Sequence, residues 1–221
     1  MLKLFVALCF IFSSAYAAHG VDIATFMGPY NVSQWQCLHD TGIDFAIIEI
    51  WRGHHQLSDH YQIDWQNAKA AGIYVVDAYA YICNNCPNNT AEFICSAVQN
   101  NLPYGFDGML WLDVEDCQDC WIGTPEERLA FLEGIADNCE QRGFNLGVYS
   151  GHGAWEQVFG AANFTSGKLT KYPLWFSHYD NKQSMDDYNQ LKFGNWAQPI
   201  MKQYNAGVEI CGVKDLDVNY Y

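Results

Sequence analysis

The stretch Leu110–Asp116 reads LWLDVED, an apolar run that ends in three acidic residues. Side chains two apart on a strand share a face, so Trp111, Asp113 and Glu115 point one way and Leu110, Leu112 and Val114 the other. Such a strand fits a closed parallel barrel, where one face meets covering helices and the other meets the lumen. Functional groups of βα barrels gather at the C-terminal ends of the strands. In such a barrel the phase of this strand places the site at the end carrying Asp113 and Glu115. Asp116, one step out of phase, is expected in a solvated loop.

Similar short apolar runs recur at 20–24, 45–51, 74–82, 145–150, 173–179, 199–204 and 216–221. With 108–114 they make eight expected strands. Between the first five lie segments with helical spacing, such as Phe93, Ile94, Ala97 and Val98, or Leu129, Leu132, Ile135 and Ala136. The clearest helix start is Thr124-Pro125-Glu126-Glu127: Thr124 caps, Pro125 suits the first helical position and Glu127 completes a capping box. Gly143 marks that helix's end. After about residue 160 the helical pattern fades, and the segment from Asn205 to Lys214 is too short for a crossover helix. The expected fold is an irregular TIM-like β/α barrel of about five βα units followed by plain strands joined by loops. Such a barrel is compact, since eight full units take about 250 residues.

Two carboxyls as close as Asp113 and Glu115, inside a low-dielectric rim, do not both ionise at ordinary pKa values, and one stays protonated. A protonated acid beside an ionised neighbour is what glycosidic bond cleavage needs. Asp22, Asp77 and Asp217 sit in comparable strand positions, each with the alternative of a strand-end cap or ion pair. Tyr79, Tyr81, Trp111, Trp175 and Tyr204 lie near strand ends, where flat rings stack on sugar faces. For any single ring, core packing is the competing role.

Residues 1–17, MLKLFVALCFIFSSAYA, read as a secretory signal with cleavage after Ala17, leaving 18–221 as one barrel domain. A membrane anchor is the weaker alternative, because the apolar run falls short of about 20 residues. Cleavage removes Cys9 and leaves eight of nine cysteines, an even number for an oxidising compartment. The sequons at Asn31, Asn88 and Asn163 fit the same route. Cys83-x-x-Cys86 and Cys117-x-x-Cys120 resemble half-sites of a four-thiolate zinc centre or a redox pair, but disulfides stapling the loops at the mouth suit the compartment better. Their connectivity is not readable from spacing. The net charge of −14 disfavours nucleic acid. It fits either a self-repelling soluble surface or an acidic working compartment. His54 and His55 are expected in a solvated loop, and His152 and His178 at strand ends near the cleft. Nothing in the chain requires a metal or cofactor, and a monomer that spans no membrane is expected.

As an ordered set, these motifs resemble the glycoside hydrolase family 25 lysozymes. They are GVDIA at 20–24, FAIIEIWRG at 45–53, NAKAAGIYVVDAYAYI at 67–82, LWLDVED at 110–116, GVYSG at 147–151, YPLWFSHY at 172–179 and KQYNAGVEICGVKDLDVNYY at 202–221. The resemblance implies a barrel with five βα units and hydrolysis of the β-1,4 bond between N-acetylmuramic acid and N-acetylglucosamine in bacterial peptidoglycan. It makes Glu115 the general acid and Asp113 the partner of the substrate's 2-acetamido group. Asp22 and Asp217 complete the acidic cluster, Asp22 acting chemically or by positioning. Tyr79, Tyr81, Trp175, Gln203 and Tyr204 are the implied substrate-binding residues. The family's Lys and Glu on the second strand are exchanged here for Glu49 and Arg52, and the third strand ends in Tyr79-Ala80-Tyr81. A secreted bacteriolytic enzyme of a eukaryote, used in defence or digestion, is the implied role; its site of action is extracellular or a lysosomal, phagosomal or digestive lumen. A catalytically weak glycan-binding descendant and a chitinase-type hydrolase are the alternatives.

Overall fold

The computed structural model describes residues 17–53, 56–87, 89–117 and 119–221. The expected signal segment through residue 16, and His54, His55 and Asn88, lie outside the described residues. Five strands each lead into a helix: β1 (His19–Ile23), α1 (Val32–Asp40), β2 (Phe45–Trp51), α2 (Tyr61–Ala70), β3 (Val75–Tyr81), α3 (Ala91–Asn101), β4 (Met109–Asp113), α4 (Pro125–Gln141), β5 (Asn145–Gly151) and α5 (His152–Phe159). Then come β6 (Leu174–Ser177), β7 (Met201–Ile210) and β8 (Val213–Tyr220), with only short 3-10 turns at Leu169–Lys171 and Asp186–Asn189 between. The strands close into a barrel in sequence order. Each pairs in parallel with the next from β1 to β7, and β8 runs antiparallel between β7 and β1.

Local chemistry explains the helix starts. Thr124 Oγ1 accepts from the Glu127 amide while Glu127 returns a bond to the Thr124 amide at 2.8 Å. Asn31 and Gln34 form the same reciprocal cap on α1, and Thr90 caps α3. One connection departs from the sequence reading. Residues 205–214 are not a loop: β7 runs on to Ile210 and turns back through Cys211 and Gly212 alone, at φ 57° and 73°. Two consecutive left-handed residues are what a tight hairpin matching the strand twist demands.

The period-two phase sorts the core into two shells. Leu110, Leu112 and Val114 join Val21, Ile23, Ala46, Ile48, Val76 and Ala78 in the outer shell under the helices. Phe45, Ile47, Tyr79, Trp111, Tyr149, Trp175 and Met201 fill the lumen. Each large lumen side chain contributes roughly 1.5–3 kcal/mol by burial. Their bulk is accommodated by Gly147, where an added Cβ would collide with the Trp111 ring. These side chains form a floor across the lumen, and a cavity opens above it.

The eight cysteines of residues 18–221 form four disulfides. Cys83–Cys86 and Cys117–Cys120 each close on themselves, so no four-thiolate centre is built from them. Those two loops, which follow β3 and β4, are tied by hydrogen bonds from Asn85 to Cys120 and Asp119 and between Asn84 and Ile122. The other two pairs lie away from the mouth loops: Cys95–Cys139 joins α3 to α4, and Cys37–Cys211 joins α1 to the hairpin turn. No helix among the described residues is long and apolar enough to cross a membrane.

Candidate active site

Above the aromatic floor, Asp22, Tyr79, Asp113, Glu115, Tyr149, Trp175, Tyr179, Gln203 and Asp217 line a cavity with about 390 Å³ of empty space. Asp22 ends up here because it shares the inward phase of β1 with Gly20, and Asp113 because it is the last residue of β4. Glu115 follows two residues later, in phase with Asp113 but beyond the ladder, and is half-buried. Asp217 enters from the antiparallel strand β8.

Gln203 is the hub. Its Oε1 accepts from the hydroxyls of Tyr149 at 2.6 Å and Tyr179 at 2.9 Å. Its Nε2 donates to both oxygens of Asp22, at 3.1 and 2.9 Å, and to Asp217 Oδ2 at 3.3 Å. With Nε2 committed to the two carboxyls, the amide oxygen is left to accept from the two phenols. Asn219 adds a 2.7 Å bond to Asp22 Oδ2 while its own oxygen accepts from Trp175 Nε1 at 2.9 Å. The Gly207 amide holds Asp217 Oδ1 at 2.9 Å.

Asp113 is different. It is 6% exposed, and its Oδ1 is buried with no hydrogen-bond partner among the described residues. Burial first, then the neighbouring Glu115, Glu49 and Asp22, hold its carboxyl well above the usual range. Burial and Asp217 push Asp22 up to about 8, against the bonds from Asn219 and Gln203. Burial also raises Glu115, offset in part by the Tyr149 hydroxyl, and Asp217 is raised for the same leading reason. Among the described residues no Lys or Arg lines this cavity, so no cation offsets the burial and mutual repulsion that favour the protonated forms.

Several sequence expectations need correction. Asp77 is not at the mouth: it lies low on β3, where Oδ1 accepts from the Met109 amide and Oδ2 from Trp111 Nε1, both at 2.9 Å. There it caps the base of β4. Tyr204 is not in the cavity either. Its neighbour Gln203 faces the lumen, so Tyr204 must face out, where its hydroxyl accepts from Gln183 Nε2 at 3.1 Å. Tyr81 flanks the mouth, with its hydroxyl 3.8 Å from Cys120 Sγ, without lining the cavity. His178 turns to the outer face and contacts Asp187, and His152 Nδ1 meets the Lys192 carbonyl at 3.2 Å. Asp116 is exposed, as its phase requires.

Tyr149, Tyr179 and Asn219 were not singled out from the sequence. Tyr149 and Asn219 follow from the two-residue phase already applied to β4, since Asn219 alternates with Asp217. Tyr179 lies beyond β6 and has no periodic signal. Glu49, noted as a departure on the second strand, is buried and accepts from the Thr25 amide at 2.7 Å. Burial raises its pKa first, with Arg52 opposing.

An eight-stranded barrel with helices on its first five crossovers and carboxyls at one end of its lumen is the architecture of an irregular β/α barrel with an acidic cleft. Comparison with known proteins narrows this. The family profile described as Lysozyme-like protein 1 matches residues 13–204. The chain is 34% identical to Probable GH family 25 lysozyme 4 of Dictyostelium discoideum, covering 100% of this chain and 97% of that one. It is 35% identical to Probable GH family 25 lysozyme 3 of the same organism over 96% of this chain, but spans 42% of that protein's length. The first relatives it matches are thus longer, and the chain spans less than two thirds of each. A bacterial lysozyme from Streptomyces coelicolor shares the fold, with a TM-score of 0.71 at 20% identity, covering 91% of this chain and 90% of that one. The chain belongs to the glycoside hydrolase family 25 lysozymes.

Proposed function

We propose that the protein is a secreted N-acetylmuramidase that hydrolyses the β-1,4 bond from N-acetylmuramic acid to N-acetylglucosamine in bacterial peptidoglycan. The observation that carries this reading is Asp113: a buried carboxyl lining the cavity with one oxygen that no group among the described residues satisfies. A substrate amide N–H supplies the missing partner, and the 2-acetamido group of an amino sugar has one. Accepting that N–H favours ionised Asp113, whose charge then keeps the nearby Glu115 protonated. Glu115 gives its proton to the glycosidic oxygen as the C1–O bond breaks. The acetamido carbonyl oxygen attacks C1 from the opposite face, and its N–H is held by Asp113. Water then opens this ring at C1, returning a proton to Glu115. Asp22, raised to about 8, stays protonated at mildly acidic pH, so Asp217, held beside it through Gln203, faces the positive charge on the sugar, and Tyr79 and Trp175 give the ring a flat surface.

A chain with a leader of secretory type and four disulfides suits extracellular or lysosomal work against bacteria. The test is clearing of a Gram-positive wall suspension at mildly acidic pH. Wild type is expected to clear it, and Glu115→Gln to lose at least about a hundredfold in rate with its fold intact. Unchanged lysis in Glu115→Gln removes Glu115 from the role of acid. One observation favours a catalytically weak glycan-binding protein instead: Glu49 adds an acid beside Asp113. Wall binding without release of reducing ends would establish that reading.

A further inference from the structure

Lys202 precedes Gln203 on β7 and points to the outer shell, where the strand phase calls for an apolar residue. It is fully buried, with a relative exposure of 0%. An ammonium taken out of water is tolerated only when its protons are satisfied and its charge is matched. Here Nζ donates to Asp180 Oδ1 and Asp187 Oδ2, both at 2.8 Å, and to the Ser184 carbonyl at 3.1 Å. Those are three acceptors for three N–H groups. Burial pushes Asp180 and Asp187 up, but the bonds and charge of Lys202 outweigh it and hold both below the usual carboxylate range. His178 completes the group: its ring contacts Asp187, and the ligand-type atoms of His178, Asp180 and Asp187 lie within 4.8 Å of one another.

All three acceptors come from one segment, the connection that leaves β6. Between the end of β6 and Asp180 stands Tyr179, a residue more than half exposed whose hydroxyl nevertheless reaches Gln203 Oε1 at 2.9 Å. Two adjacent residues of β7 therefore grip this connection from opposite faces. Lys202 holds Asp180 and Asp187 outside the barrel, and Gln203 receives Tyr179 inside it.

We propose that Lys202 is a positioning residue for the catalytic cleft: its ammonium fills the place of a cation among His178, Asp180 and Asp187, and so keeps the Tyr179 hydroxyl on Gln203. That bond helps to commit the Gln203 amide to Asp22 and Asp217. The inference rests on the reading of this cleft as the catalytic site.

The test pairs two variants. Lys202→Met and Tyr179→Phe are each expected to lower kcat on peptidoglycan roughly 10- to 100-fold with a smaller change in KM. The double variant is expected to fall no further, since both act through one contact. Lys202→Ala leaves an ammonium-sized gap, so added methylammonium is expected to restore kcat toward wild type in Lys202→Ala but not in Lys202→Ala/Tyr179→Phe. Wild-type kcat and KM in folded Lys202→Met overturn the proposal. So do losses that multiply in the double variant, or rescue that persists without the Tyr179 hydroxyl. Where Lys202 variants do not fold, wild-type kcat in Tyr179→Phe overturns it and a matching loss upholds it. If wild type itself releases no sugar ends, the functional reading fails instead. Hydrogen exchange of residues 178–187 in Lys202→Ala, with and without methylammonium, then decides whether the clamp exists.

Discussion

Replacing Asp113 by Asn is expected to weaken catalysis and, at neutral pH, to stabilise the fold. In the unfolded chain an Asp ionises near pH 3.9. In the folded protein, burial and the charges of Glu115, Glu49 and Asp22 hold Asp113 protonated well above that. The folded state therefore binds a proton that the unfolded state has lost, so stability is greatest below the unfolded pKa and declines as pH rises toward the folded one. The slope from one group is at most about 1.4 kcal/mol per pH unit, or at most about 2.8 kcal/mol between pH 4 and 6. An asparagine side chain keeps the shape, cannot ionise, and meets no donor at the unpartnered Oδ1 position. For a domain of this size each kcal/mol moves Tm by roughly 2–4 °C. The Asp113→Asn variant is thus expected to melt up to about 10 °C above wild type at pH 6 and close to wild type at pH 4. Thermal melts of both proteins from pH 3.5 to 7.5, alongside wall-clearing rates, make the comparison. A difference in Tm that is the same at pH 4 and pH 7, or a variant less stable at pH 7, refutes the reasoning. Asp22, raised to about 8, adds to wild type a decline of the same sign across the same range.

Gln203→Leu takes one hydrogen-bond partner each from two phenols and two carboxyls, and each lost buried partner costs about 1–3 kcal/mol. Loss of several kcal/mol in denaturant titration, with wall clearing reduced to background, is the expected result. The disulfides are expected to differ by the loop each closes. Serine at Cys37 and Cys211, 174 residues apart, costs about 5 kcal/mol on chain-entropy grounds, and serine at Cys83 and Cys86, three apart, about 2. Chemical denaturation of the two double variants ranks them, and a reversed order contradicts the assignment.

The fold was legible where a local pattern had a unique spatial meaning. LWLDVED sends its leucines and valine to the helices and its acids to the lumen because a strand has only two faces. Thr124 to Glu127 announced a helix because the cap closes within four residues. The hairpin at 205–214 was missed because its turn, Cys211-Gly212, lacks the Asn-Gly or Asp-Gly signature of such loops. Asp77 and Tyr204 show two different gaps. Asp77 has the right phase but the wrong height, and height depends on how neighbouring strands are staggered around the barrel, which no single strand encodes. Tyr204 was grouped with Gln203, yet adjacent strand residues cannot both enter the lumen. The placement of Tyr179 depends on a buried lysine and two acids brought together only by the closed barrel.

The central claim is that this cleft cuts the glycosidic bond on the muramic acid side through Glu115. The direct measurement is borohydride reduction and mass analysis of fragments released from purified peptidoglycan by wild type and Glu115→Gln. Reduced N-acetylmuramic acid at the new ends from wild type, with none above background from the variant, is the predicted result. Reduced N-acetylglucosamine ends, or equal release by both proteins, would contradict the account.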